Sequence, residues 1–348
     1  MLLIALRDLQ WRRRRFLIAV LATSLVFALT LLLSGAGNGL RNEASRTVEA
    51  FDADAWFVAE GASGPFTTSS LLPESTAEDV AELDGVERAD PFLFMRSTSD
   101  TSNPTDVNVI GFRAGGLGTP QADDGTAPRR SGQALVDAGL GSDVGEEIEI
   151  GGQNFRVSGV ADDISFNFGV ATVYVPLADV QDMAFEGQPL ATSVVTMGVP
   201  SAPAEGLTQL SNAQVVSDMR RPMASGLQTI DFINALLWLI AAGIIGSIVY
   251  LSALERTRDF AVMKATGAGN GPLLAGLALQ ALVLSAASAA VAVVLARPLK
   301  AGFPFSIDIP SSAYVILLVV ALVVGFMASL AGLRRAVRVD PAVAFGGG

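Results

Sequence analysis

Four runs without a single charged residue constrain this chain more than anything else in it: Phe16 to Leu33, Phe232 to Leu254, Leu273 to Ala296 and Ala313 to Leu333. A helix of about 18–20 apolar residues is what crosses a hydrocarbon core, because only a helix or a closed barrel satisfies its own backbone hydrogen bonds there. A composition that is 51% hydrophobic, with mean hydropathy +0.47, is too apolar for two ordinary soluble domains. The chain therefore reads as a polytopic α-helical membrane protein with four transmembrane helices. The alternative for the first run is a cleaved signal segment, with Arg12 to Arg15 as its charged leader and Ser34-Gly35-Ala36-Gly37 as its cleavage region. The run exceeds the apolar core of a typical signal, so a retained helix is the reading adopted.

Charge sets the orientation. Between Gly35 and Asp231 there are 29 acidic and 10 basic side chains, whereas segments 1–15, 255–270 and 334–348 together carry 11 basic and 4 acidic ones. Positive charge beside helix ends marks the cytoplasmic face. Both termini and the loop between the second and third helices are thus expected inside, and the acidic stretch outside. Arg41, Arg46, Arg297 and Lys300 run against the rule but are fewer. So acidic a domain repels a phosphate backbone, and nucleic acid is not an expected partner. Histidine and cysteine are both absent. That excludes Ser-His and Cys-His nucleophilic chemistry and the usual zinc ligand sets, so an ordinary hydrolase is not expected.

The expected organisation is a cytoplasmic amphipathic segment (1–15), helix 1 (16–34), an extracytoplasmic mixed α/β domain (35–231), helix 2 (232–254), a cytoplasmic segment (255–270), helix 3 (271–296), a short outer loop (297–312), helix 4 (313–333) and a cytoplasmic tail (334–348). In the first segment Leu2, Leu3, Leu6 and Leu9 would lie on the inner surface with the arginines toward lipid phosphates. Asn38 to Ala50 can prolong helix 1 as an amphipathic stalk. In the outer domain Ala53 to Val58, Val86 to Phe94, Ala134 to Val136, Glu147 to Ile150, Phe155 to Val160, Val170 to Val175 and Thr192 to Val199 read as strands, with Gly151-Gly152 a hairpin turn. Ser75-Thr76-Ala77-Glu78 reads as a capping box opening a helix, and Leu177 to Phe185 as another helix. Gly115 to Ser131 reads as an exposed loop, and nothing in 95–130 is recognisable.

The segment after helix 2 is the most specific: Leu254-Glu255-Arg256-Thr257-Arg258-Asp259-Phe260-Ala261-Val262-Met263-Lys264-Ala265-Thr266-Gly267-Ala268. On a helix Glu255, Asp259, Val262 and Thr266 share one stripe, and Arg256, Phe260 and Met263 an adjoining one. A short helix that shows charges and apolar side chains together suits docking into a groove of a soluble partner. Spacing alone equally allows a solvated anchoring loop. The segment closely resembles the coupling segment of MacB/FtsX-like (type VII) ABC permeases, with Glu255-Arg256, an acidic residue at 259 and Lys264-Ala265-Thr266-Gly267-Ala268 in matching positions. Asp259 stands where Glu is common and Ala261 where Gly is frequent. Leu83-Asp84-Gly85-Val86, Gln133-Ala134-Leu135-Val136, Val173-Tyr174-Val175-Pro176-Leu177 and the tail Arg334-Arg335-Ala336-Val337-Arg338-Val339-Asp340-Pro341 are similar to other landmarks of that family.

The resemblance implies a bacterial plasma-membrane permease, itself non-catalytic, that relays the motion of a separate cytoplasmic ABC ATPase dimer to its outer domain. It assigns the coupling to Glu255, Arg256, Arg258, Asp259, Phe260, Met263, Lys264 and Gly267. ATP and magnesium would be held by that partner and no cofactor by this chain, which lacks the Gly-Lys-Ser/Thr of a phosphate loop. The family further implies a second permease copy, and Ala242 with Gly246, and Gly325 with Ser329, have the spacing for close helix pairing between copies or within one. Without charges, the apolar runs offer no polar ion path. Exporting or extracting a lipid-like or peptide substrate is the expected task; control of an extracytoplasmic cell-wall hydrolase, as in the FtsX branch, is the alternative, and a non-ABC anchor or sensor a third. Asp52, Asp54, Asp123-Asp124 and Asp162-Asp163 match no calcium-loop pattern and are expected in solvated turns. Phe66, Phe92, Phe94, Phe166 and Phe168 are expected to be core.

Overall fold

A computed structural model describes residues 13–100, 104–167, 169–255, 262, 270–300 and 307–337. In chain order the helices and strands are α1 (Arg13–Glu49), β1 (Ala55–Ala59), β2 (Leu72–Pro73), α2 (Thr76–Ala81), β3 (Arg88–Ser99), β4 (Thr105–Phe112), β5 (Asp124–Gly125), β6 (Gln133–Asp137), β7 (Glu147–Ile150), β8 (Gln153–Ala161), β9 (Ala171–Pro176), α3 (Leu177–Phe185), β10 (Leu190–Ala191), β11 (Ser193–Met197), β12 (Leu207–Ser211), α4 (Asn212–Arg220), α5 (Ala224–Glu255), α6 (Asn270–Lys300) and α7 (Ser311–Val337). They form two compact units: a helical one from residues 1–38 and 227–348, and an α/β one from residues 39–226.

Among the described residues, three helical stretches are long and apolar enough to cross a membrane: Phe16–Glu49, Ala224–Ile248 and Ala278–Lys300. The expected fourth span falls on α7. Its apolar stretch among the described residues, Ser311–Val324, is shorter than a span, so the helix is seen but a count of four spans is not. The helix ends also run past the apolar runs. In α1, Leu40, Ala44 and Val48 recur every fourth residue and are buried, so the helix continues to Glu49 on an amphipathic pattern. α6 passes through Pro298 to Lys300.

The α/β unit is built on a ten-stranded sheet in the order β12-β1-β11-β3-β4-β9-β6-β8-β5, with β7 bonded to both β8 and β3. Those two pairings make β3, β4, β9, β6, β8 and β7 close on themselves. Leu93, Val107, Val109, Val136, Ile148, Phe155, Val157 and Val173 fill the inside, where period-two alternation directs them. α3 lies directly on β4: a Cβ added at Gly111 would stand 2.7 Å from Val180 Cγ2. The opposite face carries an aromatic core of Phe51, Trp56, Phe66, Phe92, Phe112 and Tyr174, covered by Ala44 and Val48 of α1 and by Val215 and Met219 of α4.

Ser75 corrects one expectation. It precedes α2, but at φ −61° and ψ −18° it is already helical and its side chain caps nothing. The capping box of this unit is instead Ser211 with Gln214 at the start of α4, where Ser211 is extended. The unrecognised 95–130 region supplies the end of β3 and all of β4, two central strands.

Candidate functional site

Of the expected coupling residues, Glu255 is described and ends α5. Arg256, Arg258, Asp259, Phe260, Met263, Lys264 and Gly267 lie outside the described residues. Val262 is helical and 48% exposed.

In the helical unit, α1, α5, α6 and α7 meet through small and aliphatic side chains. Phe27, Ala28 and Leu31 of α1 pack with Ala241 and Ile245 of α5, Ala281, Ala289 and Ala292 of α6, and Leu317 and Ala321 of α7. Without water to drive helices together in lipid, such close approach is what holds them. Ala242 and Gly246 sit half-buried on α5 beside the packed Ala241 and Ile245. A Cβ added at Gly246 meets no described atom within 4 Å. Gly325 and Ser329 belong to α7.

Near one end of the helices, polar bonds join α1 to its neighbours. Asn234 Nδ2 donates to Ser34 Oγ at 2.8 Å. The extended segment 307–309 lies against α1, where Asp308 N donates to Gly35 O at 3.2 Å and Asn38 Nδ2 to Asp308 Oδ2 at 3.0 Å. Gly35 is required for that approach, because a Cβ would fall 2.7 Å from both Ile307 Cγ2 and Ile309 Cγ1. Deeper in the span, Ser24 and Thr30 bond back to their own helix at Leu21 O and Val26 O. The buried hydroxyls of Thr23, Ser285 and Ser288 have no partner among the described residues.

In the α/β unit, buried carboxylates order loops. Asp218, 1% exposed, accepts from Ser63 Oγ at 2.9 Å and from Thr67 Oγ1, and pairs with Arg221. Asp179 accepts from Ser131 Oγ and Gly132 N, and Asp90 from Arg88 and Leu117 N. Burial alone would raise the Glu74 carboxyl, but bonds donated by Gln181 and Arg113, with the Arg113 charge, outweigh it and hold the carboxyl below its ordinary value. At Asp137 burial prevails. It raises the carboxyl, the charges of Asp163 and Asp162 add to the rise, and the amides of Gly139 and Ser165 oppose it incompletely. Asp137 Oδ2 is buried with no hydrogen-bond partner among the described residues.

Asp124 belongs to β5 rather than a turn, while others of the aspartates set aside from the sequence hold turns and bends. Asp54 accepts from Gly198 N, Asp123 from Asp162 N, and Asp163, at φ 57°, pairs with Arg46 at 3.6 Å. Phe66 is in ring contact with Phe92, Phe94 and Phe166, and Phe94 with Phe166; Phe66, Phe92 and Phe166 are core and Phe94 packs partly buried against it, while Phe168 lies outside the described residues. Beside Phe166, a groove of about 380 Å³ is lined by Arg96, Ser97, Thr98, Asp106, Val107, Asn167 and Val170. Its rim offers one cation and one anion that form no ion pair with each other, and Asn108 Nδ2 holds the neighbouring turn through Phe166 O and Val170 O.

Sequence reasoning gave Ser34 and Gly35 only as part of the signal-cleavage alternative and Asn38 only as the start of the amphipathic stalk, and it did not single out Asn234, Asp308 or anything in α4. The Ser211-x-x-Gln214 spacing was the one local signal for α4. The contacts of the others join residues 200 or more positions apart.

The model of the MacB-like periplasmic core domain matches residues 16–211, and that of the FtsX-like permease C-terminal region matches residues 232–341. Two uncharacterized ABC transporter permeases of Mycobacterium tuberculosis are each 40% identical to this chain, with both partners covered end to end. A permease named for hemin transport, HrtB of Staphylococcus epidermidis, is 22% identical over 99% of each chain. Among solved structures, the extracellular domain of the transporter YknZ overlaps 43% of this chain and 84% of its own at TM-score 0.32 and 18% identity. The periplasmic region of MacB from Actinobacillus actinomycetemcomitans overlaps 49% and 93% at TM-score 0.36 and 11% identity. The two full-length relatives carry the weight; the partial overlaps carry none.

Proposed function

We propose, from the premise that this chain belongs to the MacB/FtsX-like family of ABC transporter permeases, that it relays ATP-driven motion of a separate cytoplasmic ATPase dimer to an extracytoplasmic domain. The family implies an ABC ATPase as partner. In this reading the ATPase, holding ATP and magnesium, docks on residues 255–268 with Glu255, Arg256, Arg258, Asp259, Phe260, Met263, Lys264 and Gly267 at the contact. Four spans place both termini in the cytoplasm of a bacterial cell, and two permease copies face one another through the small residues of α5 and α7. The transported material is lipid-like or peptide, and the distant relative named for hemin transport adds porphyrins to the compounds worth testing.

One observation supports the relay above others. α1 is one unbroken helix whose residues 19–32 are core of the helical unit and whose residues 40–48 are core of the α/β unit. An unbroken helix passes displacement along its length, where a flexible linker would absorb it. The test is the double variant Glu255→Lys, Asp259→Lys, assayed with the ATPase that co-purifies with the wild type. Membrane insertion should persist while permease-stimulated ATP hydrolysis drops at least tenfold. Undiminished stimulation would sink the docking assignment.

A further inference from the structure

Resting on the relay reading, we infer that Arg220 is a positioning residue that fastens the outgoing chain to the incoming helix, so that the α/β unit responds as one body. Its guanidinium donates through Nε to Arg41 O at 3.1 Å, through Nη2 to the same carbonyl, and through Nη2 to Ser45 Oγ at 3.0 Å. Arg41 and Ser45 lie one turn apart on α1, 179 and 175 residues before Arg220. Arg220 closes α4, and only residues 221–223 separate it from α5. The bond therefore joins the segment by which the chain enters the α/β unit to the segment by which it leaves.

The other end of α4 is fastened as well. Asn212 accepts from Trp56 Nε1 at 2.6 Å and donates to Ala53 O at 2.8 Å, both just after α1. Between the two fastenings, Val215 and Met219 pack into the core that holds Ala44, Val48 and Phe51. α4 is thus pinned along its whole length to α1 and the start of β1. With that pin in place, sliding of α1 past α4 is blocked and a displacement reaching either one moves the whole unit. Without Arg220 the C-terminal end of α4 loses its directed bonds to Arg41 and Ser45, and directed fastening remains at the Asn212 end, where the bonds reach Trp56 and Ala53 rather than α1.

The chemistry requires arginine. A planar fork can give bonds to a helix carbonyl and to a hydroxyl one turn on at the same time, and the carbonyl has a second lone pair to accept with. Lysine keeps the charge but is a point donor without the fork. Graded substitutions therefore separate position from charge.

The absence of cysteine makes the test direct. Spin labels are attached at Val199→Cys in the α/β unit and Val294→Cys in the helical unit, both well exposed. The labelled full-length chain is diluted with unlabelled chain and reconstituted with its co-purifying ATPase. The distance between the labels is then read without nucleotide and with ATP trapped. The wild type should shift, Arg220→Met should lose at least half of the shift while keeping ATP hydrolysis within twofold, and Arg220→Lys should be intermediate. If Arg220→Met does not insert, Ser45→Ala and Arg220→Lys are read in the same way, and a full shift in both overturns the inference. A full shift in Arg220→Met overturns the inference and leaves the relay standing. No shift in the wild type overturns the relay itself, and the inference with it.

Discussion

The α/β unit and the helical unit of this chain are packed by opposite rules. In the α/β unit large aromatics are buried and buried carboxylates such as Asp218, Asp179 and Asp90 are each surrounded by donors. In the helical unit the contacts are made chiefly by alanine, leucine, isoleucine and phenylalanine. Meanwhile Leu17, Ile18, Leu21, Leu25 and Leu29 of α1 are 42–69% exposed, as are apolar rows on α5 and α7. Water drives burial in the first unit, whereas lipid is as apolar as leucine and leaves shape and close approach to hold the second. In the relay proposed above, the α/β unit is the stiffly packed load and the helical unit the part whose helices shift against one another.

The largest expected effect tests the stiff side. Phe92, fully buried and in ring contact with Phe51, Trp56 and Phe66, should cost about 3–5 kcal/mol when replaced by alanine. Thermal unfolding of the detergent-solubilised chain should show the loss in the α/β transition; a change under 1 kcal/mol would mean this core is not load-bearing as described. Next is Gly35→Leu, where overpacking costs about 1–3 kcal/mol. Because Ile307 and Ile309 lie against that position, a cysteine at Asp308 should react with a thiol reagent several-fold faster in the leucine variant, and equal rates would refute the docking of segment 307–309.

Asn234→Ala removes the bond to Ser34 and should cost only about 0.6 kcal/mol, the average for polar bonds between membrane helices. A loss beyond 2 kcal/mol would erase the contrast between the two units. Asp137→Asn runs the other way. The folded state raises this carboxyl, so it holds its proton more tightly than the unfolded chain and loses stability as pH climbs through and above the usual carboxylate range. The asparagine variant should melt higher than wild type at pH 7, and the gain should vanish below the ordinary aspartate value. Asp162 and Asp163 face this carboxyl, with Arg46 paired to Asp163.

How much was legible differed between the same two units. Runs without charge announced the helices, because one such run leaves lipid as the only suitable solvent. The prolongation of the first was legible as well: the amphipathic pattern from Asn38 onward reads as a stalk, and α1 runs to Glu49 with Leu40, Ala44 and Val48 buried, whereas the continuation of α6 through Pro298 to Lys300 was not foreseen. In the α/β unit Val- and Ile-rich stretches gave β6 to β9, and α3 came out at Leu177 to Phe185 as read. β4 stayed invisible because Asp106 and Asn108 interrupt its apolar pattern, although Asn108 is fully buried and bonded to the turn at 166–170. α4 was missed for the same reason as its role: Asn212, Asp218 and Arg220 read as surface polar residues, and what they hold lies more than 150 positions away.

The account rests on one chain presenting 255–268 to an ATPase on one side of the membrane and its acidic domain on the other. Single cysteines at Val262 and at Val199 test both halves with a membrane-impermeant maleimide. The account predicts that Val199→Cys labels in intact cells and Val262→Cys does not, and that in inside-out vesicles Val262→Cys labels rapidly until the co-purifying ATPase is bound and at least tenfold more slowly afterwards. Labelling of Val262→Cys in intact cells, or a rate indifferent to the ATPase, would contradict it.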